Sequence, residues 1–394
     1  MTMPIAICGM GMRLPGGIHD ADTLYNFLIN KKDARSPTST ARFNISSFYN
    51  PKSSSSPNTL SMNHGYWLHD TSLTHLDSSM FPIPPTEGSA LDPQQKLLLE
   101  VVYEALETAG QAHWRSHNIG CYVGTFGDDW QTLVRLDDQS TDPYVLSHMD
   151  LGLSSRVAYE YDLRGPSMTV KVGCSAAGLA LHLACQAIGQ GDCDAAVVAG
   201  TSLILSPDIA VDISRLGAVS ADASCKSFDA QADGYARAEG VNALFVKRLD
   251  LALRDGNPIR AVVRGTSTNT DGQTVGITNP SQEAQERLIR RAYERAGIEE
   301  LQRTAMVECH ATGTPVGDPT EARAISEVFG AEGMYIGSVK PNLGHSEGAA
   351  AITSVLKAVV SLENKTIIPN IKFQTPNPNS ESDFTTVRDL IMIY

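Results

Sequence analysis

Apolar residues fall along this chain in two rhythms. Short, nearly unbroken apolar runs occupy residues 4–12, 119–125, 167–173, 195–205 and 241–246. Their length and lack of a polar face predict buried strands. Between them, apolar positions recur every three or four residues, which predicts helices over 22–30, 92–110, 144–161, 282–297 and 349–362. The 92–110 helix is the clearest: Asp92 caps it, Pro93 sits in its first turn and Gly110 ends it. The 282–297 helix carries many charges, and its solvated face needs no functional reading. Residues 259–268 read as a further strand, expected to pair with 241–246 as a hairpin around Asp255-Gly256. Residues 36–85 follow neither rhythm. Rich in Ser, Pro, Asn and His, with Phe43, Phe48, Tyr49, Tyr66, Trp67 and Phe81 interspersed, they predict irregular structure pinned to the surface by rings, with a flexible tip at 53–57.

One stretch joins the two rhythms. Residues 167–173 read as a short buried strand, and Cys174 follows. Ser175, Ala176, Ala177 and Gly178 come next, then a helical apolar pattern at Leu179, Leu181, Leu183, Ala184, Ala187 and Ile188. The cysteine thus sits where a strand turns into a buried helix. Small neighbours leave room above the sulfur, and the unpaired N–H groups of a helix start favour thiolate. A cysteine in such a unit also reads as ordinary core; Cys185 and Cys193 are read that way.

Two strand ends farther on carry histidines. His310 opens a small-residue loop after the strand in 305–318, and His345 follows the strand in 334–348, after Lys340 and before a helix. Either histidine alone reads equally as a structural residue satisfied by backbone. Strand, reactive residue and buried helix occur around Cys174 and again around His345, a repeat of elements without sequence identity. One cysteine and two histidines suit acyl transfer: a thiolate accepts an acyl group, and neutral imidazoles donate hydrogen bonds to a developing oxyanion. Without an acidic orienter the set looks less like a hydrolytic triad.

Composition narrows the alternatives. A chain of 394 residues with 42% hydrophobic and 19% charged content suits two modest domains or one duplicated α/β unit with a large core. A net charge of -13 and a pI near 5.2 argue against nucleic acid or an anionic membrane as partner, while leaving room for a local basic patch toward a phosphate-bearing ligand. No apolar run reaches membrane-spanning length, and no basic region precedes the first apolar segment, so neither span nor signal peptide is expected. Seven scattered cysteines without a C-x-x-C pair suggest neither disulfide framework nor metal site, and an intracellular, cytoplasmic protein is expected. The glycine turn after residues 4–12 has the wrong spacing for a dinucleotide site, and Pro15 interrupts any helix there.

The motifs GCSAAGLALHLACQA, KSFDAQADGYARAEG, ITNPSQEAQERLIRRAYERAG, ECHATGTPVGDPTEA and IGSVKPNLGHSEGAA, in this order, resemble the β-ketoacyl synthase (ketosynthase) domain of polyketide synthases, most of all the iterative fungal enzymes of the highly reducing kind. The resemblance covers about residues 3–378. It implies an α/β, thiolase-like fold of five αβαβα layers built from two similar halves: 3–250, with inserted loops and the nucleophile, and 251–378, with both histidines. A divergent tail follows at 379–394. By motif, Cys174 matches the acyl-accepting nucleophile. His310 and His345 match the pair that promotes decarboxylation of a malonyl thioester, and Lys340 the supporting lysine. Thr312 and Thr314 resemble the threonines that hydrogen-bond a phosphopantetheine arm. The implied reaction is a decarboxylative Claisen condensation. No cofactor is bound permanently; the phosphopantetheine arm carries substrate. The implied partners are an acyl carrier protein, a malonyl acyltransferase domain and a second copy of the chain in a homodimer.

The chain departs from the family at Lys171-Val172-Gly173, where Asp-Thr-Ala or Asp-Thr-Gly is usual, and at Ala311, where Gly is usual. After Asn370, the expected Gly-Phe-Gly-Gly type loop and Asn-Ala-His-like ending are not found. The resemblance therefore implies a C-terminally truncated fold lacking its last strands. A condensing domain, an inactive remnant and a non-catalytic dimer partner all follow as readings, and the intact Cys174, His310 and His345 speak against the last.

Overall fold

The computed structural model describes residues 3–51, 58–137, 145–330 and 334–380. The tip expected at 53–57 and the tail from 381 onward lie outside them. Ten strands are described: β1 (Ile5–Arg13), β2 (Ser36–Pro37), β3 (His64–Gly65), β4 (Ile119–Thr125), β5 (Ser167–Val170), β6 (Ala195–Ser202), β7 (Gly240–Arg248), β8 (Ala261–Val263), β9 (Met306–Glu308) and β10 (Tyr335–Gly337).

Six of these strands form the main sheet, in the order β5-β4-β6-β7-β1-β8. β4 runs parallel to both β5 and β6, and the other pairings are antiparallel. β4, β6 and β7 are buried along nearly their whole length, as their unbroken apolar runs demand. One face packs against the helices Pro93–Thr108 and Leu151–Glu160, through Leu97, Leu98, Val101 and Leu153 against Val123, Val197 and Phe245. The opposite face packs against Ala176–Gln190 and Ala350–Glu363, through Ala180, Ala184, Ile352 and Leu356. A third core joins the parallel pair β9–β10 to the helices Gln282–Ala296 and Gly317–Phe329. Helix, sheet, helix, sheet and helix thus follow in five layers, with two strands described in the second sheet. No helix among the described residues is long and apolar enough to cross a membrane.

Three local expectations are corrected. The Asp255-Gly256 hairpin does not form. A helix, Leu249–Asp255, fills the interval, and Gly256 (φ 71°) is its left-handed C-cap. β7 is already flanked by β6 and β1, so β8 pairs with β1 instead, Ile5 opposite Val263. The segment 251–378 therefore lends a strand to the sheet of the first half. Residues 167–173 are also not a buried strand: β5 stops at Val170, lies at the sheet edge and leaves Ser167 and Met168 exposed. Finally, 144–161 is broken into Val145–His148 and Leu151–Glu160. The carbonyls of Leu146 and Ser147, which a continuous helix would use, accept from Gln95 Nε2 and the Asp92 amide. The helices Asp208–Arg215 and Gly317–Phe329 were not foreseen.

Candidate active site

Cys174 is placed by a turn and by a floor of glycines. After β5, Gly173 adopts φ 67°, a left-handed conformation that glycine takes without strain, and the Ala176 amide donates back to the Gly173 carbonyl. The helix Ala176–Gln190 then starts directly on β4. A Cβ on Gly124 of that strand would stand 2.2 Å from the Ala177 nitrogen. The segment after His345 makes the same approach: a Cβ on Gly348 would stand 2.6 Å from the Phe126 nitrogen and 2.7 Å from the Thr201 oxygen. Both middle-layer helices thus begin over the ends of β4 and β6, and the residues just before them converge.

His310 follows β9. Its amide and that of Ala311 donate to the Glu321 carboxylate at 2.7 and 2.8 Å. Ala311 has φ 26°, a conformation that favours glycine. One turn before Glu321, Asp318 accepts from the amides of Phe228, Gly313 and Thr314, fixing the loop. His345 follows the short helix Lys340–Leu343. Its amide donates to the Ala236 carbonyl (2.8 Å), and its carbonyl accepts from the Ala238 amide (2.9 Å).

The Cys174 sulfur and one ring nitrogen from each histidine lie within 4.8 Å of one another. The imidazoles meet edge to face, 5.3 Å between centres, and the Tyr235 ring stands 5.1 Å from His345. Cys174, His310 and Lys340 line a cavity of about 730 Å³ together with small residues such as Gly178, Ala350 and Ala351. Thr312 and Thr314 lie outside its lining; Thr312 is buried and Thr314 half-buried. A second cavity, of about 590 Å³, opens at the other end of the sheet. There Lys247 and Arg254 pair with Asp255, Arg248 pairs with Asp250, and the lining holds no cysteine, serine or threonine among the described residues.

The electrostatics temper one expectation. Burial raises the Cys174 thiol, with a smaller push from Glu347, while Lys340 and the Cys174 amide pull it down; the side chain is exposed, so water offsets part of the burial push. Burial and the Lys340 ammonium push the His310 imidazole down to about 3, though its open edge on the cavity lets water temper the shift. His345, only 3% exposed, is held well below the usual range by burial, by His310, by Lys340 and by Arg237. Both rings are neutral at physiological pH. Among the described residues His345 Nδ1 has no hydrogen-bond partner, so none of them serves this ring as the acidic orienter of a hydrolytic triad.

The structure therefore brings Cys174, His310, His345 and Lys340 together and leaves the two threonines to one side. Sequence reasoning missed Glu321 and Asp318, whose signal was a pair of acids three apart at a helix start after a glycine loop. It also missed Lys171, which reaches Asp128 and Asp150 and pins the turn after β5.

Comparisons with known proteins bear on the family of this chain. The family described as β-ketoacyl synthase, N-terminal domain, matches residues 2–252, and its C-terminal domain matches residues 260–374. The highly reducing polyketide synthase gloL of Glarea lozoyensis is 53% identical over 378 residues, 95% of this chain and 15% of that protein. A highly reducing polyketide synthase of Fusarium sp is 54% identical over 377 residues, again 95% and 15%. Among solved structures, the ketosynthase from module 6 of the Bacillus subtilis 168 bacillaene synthase superposes with a TM-score of 0.86 at 32% identity, covering 95% of this chain and 64% of that one. The oxazolomycin ketosynthase domain OzmH KS7 of Streptomyces albus gives 0.88 at 30% identity, covering 96% and 67%. The chain thus spans about 15% of the length of these curated relatives and about two thirds of the solved domains. Both family domains are matched in order along one continuous sequence, and the chain belongs to the β-ketoacyl synthase family.

Proposed function

We propose that this chain lengthens an acyl chain by decarboxylative Claisen condensation, with Cys174 as nucleophile. The Cys174 sulfur attacks an acyl thioester; its S–C bond forms, the carrier thiol leaves, and the thiol proton passes to that leaving sulfur through a neutral imidazole. A malonyl thioester then enters. Its bond to the carboxylate carbon breaks, carbon dioxide departs, and the electron pair becomes an enolate. N–H groups of His310 and His345 stabilise the enolate oxygen; donors of this kind are worth roughly 10²–10³ in rate. The enolate carbon attacks the acyl-Cys174 carbonyl, the C–S bond breaks with its electron pair going to the sulfur, which takes a proton from solvent, and the product leaves two carbons longer. Lys340 supports the pair by keeping both rings neutral. The observation that carries this reading is the convergence of one sulfur and two imidazole nitrogens within 4.8 Å, with His345 Nδ1 free of any carboxylate.

Substrates arrive on the phosphopantetheine arm of an acyl carrier protein, loaded by a malonyl acyltransferase in trans or in a parent synthase, with Thr312 and Thr314 beside the arm. A homodimer formed at the β5 edge would cover its unpaired backbone and the exposed Met168, Val172 and Leu151. The cytoplasm, which keeps such thiols reduced, suits the chemistry.

The test is the intact mass of the protein after exposure to a short acyl thioester, with Cys174→Ala alongside. One acyl adduct is expected, absent from the variant. A well-folded protein without an adduct, or equal labelling of the variant, overturns the proposal.

A further inference from the structure

Behind the reacting groups lies a buried ion pair that the mechanism above does not use. Arg237 Nε and Nη2 donate to the two oxygens of Glu347 at 2.7 and 2.8 Å, and both side chains are almost fully buried. The pair belongs to a single rung of structure. Arg237 and His345 form a parallel β-bridge, flanked by the Ala236 and Ala238 hydrogen bonds to the His345 backbone. Two residues before Arg237, Tyr235 sets its ring against the His345 imidazole. Two residues after His345, Glu347 sets its carboxylate against Arg237. Rings, backbones and charges of 235–238 and 345–347 thus match position by position.

Stability alone is a poor reason for this arrangement. Exchanging a buried ion pair for apolar residues is often neutral or stabilising. Glu347 also holds φ 41°, a conformation that costs a non-glycine residue on the order of 1–2 kcal/mol. Ser202 Oγ donates to the same carboxylate (3.3 Å), which fixes its orientation further.

We infer that Arg237 and Glu347 are positioning residues for the condensation: the pair locks the rung that carries His345 and sets the charge felt by His345 and Cys174. The inference rests on the reading of Cys174 and His345 as reacting groups. The two ends act on different partners. The carboxylate of Glu347 raises the Cys174 thiol, and the guanidinium of Arg237 lowers the His345 imidazole. The other titratable groups around the two are His310 and Glu308 from the β9 end, Lys340 from its short helix and Tyr235; Asp129 faces the guanidinium from the helix Asp129–Leu136.

The test is the pH profile of Cys174 alkylation by iodoacetamide, read by intact mass with Cys174→Ala as blank and thermal melting in parallel. Glu347→Gln keeps the shape and removes the negative end, so the alkylation midpoint should move to lower pH and alkylation at neutral pH should quicken. Arg237→Met removes the positive end that faces His345, so the acid limb of malonyl decarboxylation should move to higher pH. An alkylation midpoint unchanged in Glu347→Gln, or an acid limb unchanged in Arg237→Met, overturns the inference. Should either variant unfold, Arg237→Lys decides. It keeps the charge but not the fork, so malonyl decarboxylation should lose kcat at an unchanged alkylation midpoint, and an unchanged kcat overturns the positioning role. The Glu347→Gln midpoint shift in a protein that forms no acyl adduct would overturn the condensing function and leave the charge effect standing.

Discussion

Replacing Gly124 with alanine tests whether close packing places the nucleophile. Gly124 lies in β4 opposite Val170 and Gly200, beneath the first turn of Ala176–Gln190. The added Cβ would stand 2.2 Å from the Ala177 nitrogen and 2.5 Å from the Ala176 carbonyl carbon. Ordinary contact begins at 3.4 Å, so sheet and helix start must separate by about 1.2 Å. The atoms struck are backbone, which cannot rotate aside. Overpacking of this kind costs about 1–3 kcal/mol, which lowers the melting temperature by roughly a few degrees. The larger effect falls on rate. Cys174 lies two residues ahead of Ala176, so its sulfur moves with the helix start while His310 and His345 stay behind. A misplacement of about 1 Å costs on the order of 10² in rate. The assay is the rate of acyl-adduct formation by intact mass, with calorimetry on the same samples. Gly189→Ala is the control: it lies in the same helix, and its Cβ would meet nothing within 4 Å. That variant should acylate at the wild-type rate and melt slightly higher, as an alanine for glycine exchange in a helix does. If Gly124→Ala acylates and melts like the wild type, the glycine floor does not position Cys174 and the argument fails.

Other substitutions probe the rest of the site and the fold around it. Glu321→Ala leaves the amides of His310 and Ala311 without this partner, at about 1 kcal/mol for the part-buried Ala311 bond and less for the exposed His310 bond; decarboxylation should fall more than acylation, and equal losses would show that Glu321 does not hold His310. Asp92, buried, has its carboxyl raised to about 7, mainly by burial. Its folded value lies above its unfolded value, so its contribution is full below about pH 4 and is lost as pH rises through 7. Asp92→Asn, still a capping residue, should flatten the fall in stability across that window, on the order of 4 kcal/mol in total, as measured by urea unfolding at several pH values; an unaltered slope would remove Asp92 as its source. At Ala311, glycine relieves about 1–2 kcal/mol of strain but gives up a buried methyl worth about 0.8 kcal/mol. Ala311→Gly should therefore melt close to wild type, whereas Ala311→Val, β-branched at the same positive φ, should melt several degrees lower; a valine variant as stable as wild type would refute the strain.

How much of this was legible depends on the range of the force involved. Strand β4 and the helix opened by Asp92 and Pro93 could be read directly, because unbroken burial, capping and helix-start proline act within a few residues. The turn at Cys174 and the helix after it were legible for the same reason, as was the strand end before His310; His345 instead follows the short helix Lys340–Leu343 rather than a strand end. The motifs also pointed to the family, which the comparisons then showed.

What the tertiary structure decided were relations between distant segments. Asp255-Gly256 reads as a hairpin turn until β7 is seen with neighbours on both sides. The 167–173 run reads as buried until its strand takes the edge of the sheet. Local helix physics favours a thiolate at Cys174, while burial and Glu347, which only the assembled layers bring to it, push the thiol up. Arg237 and Glu347 are 110 residues apart in sequence, and Glu321 grips the backbone rather than the ring of His310. By itself the sequence determined the elements and the reactive residues at their ends, because period, caps and turns are local. The tertiary structure decided how Cys174 and His345 meet, because only packing brings Gly124, Gly200 and Gly348 together into a floor on which two helix starts can rest.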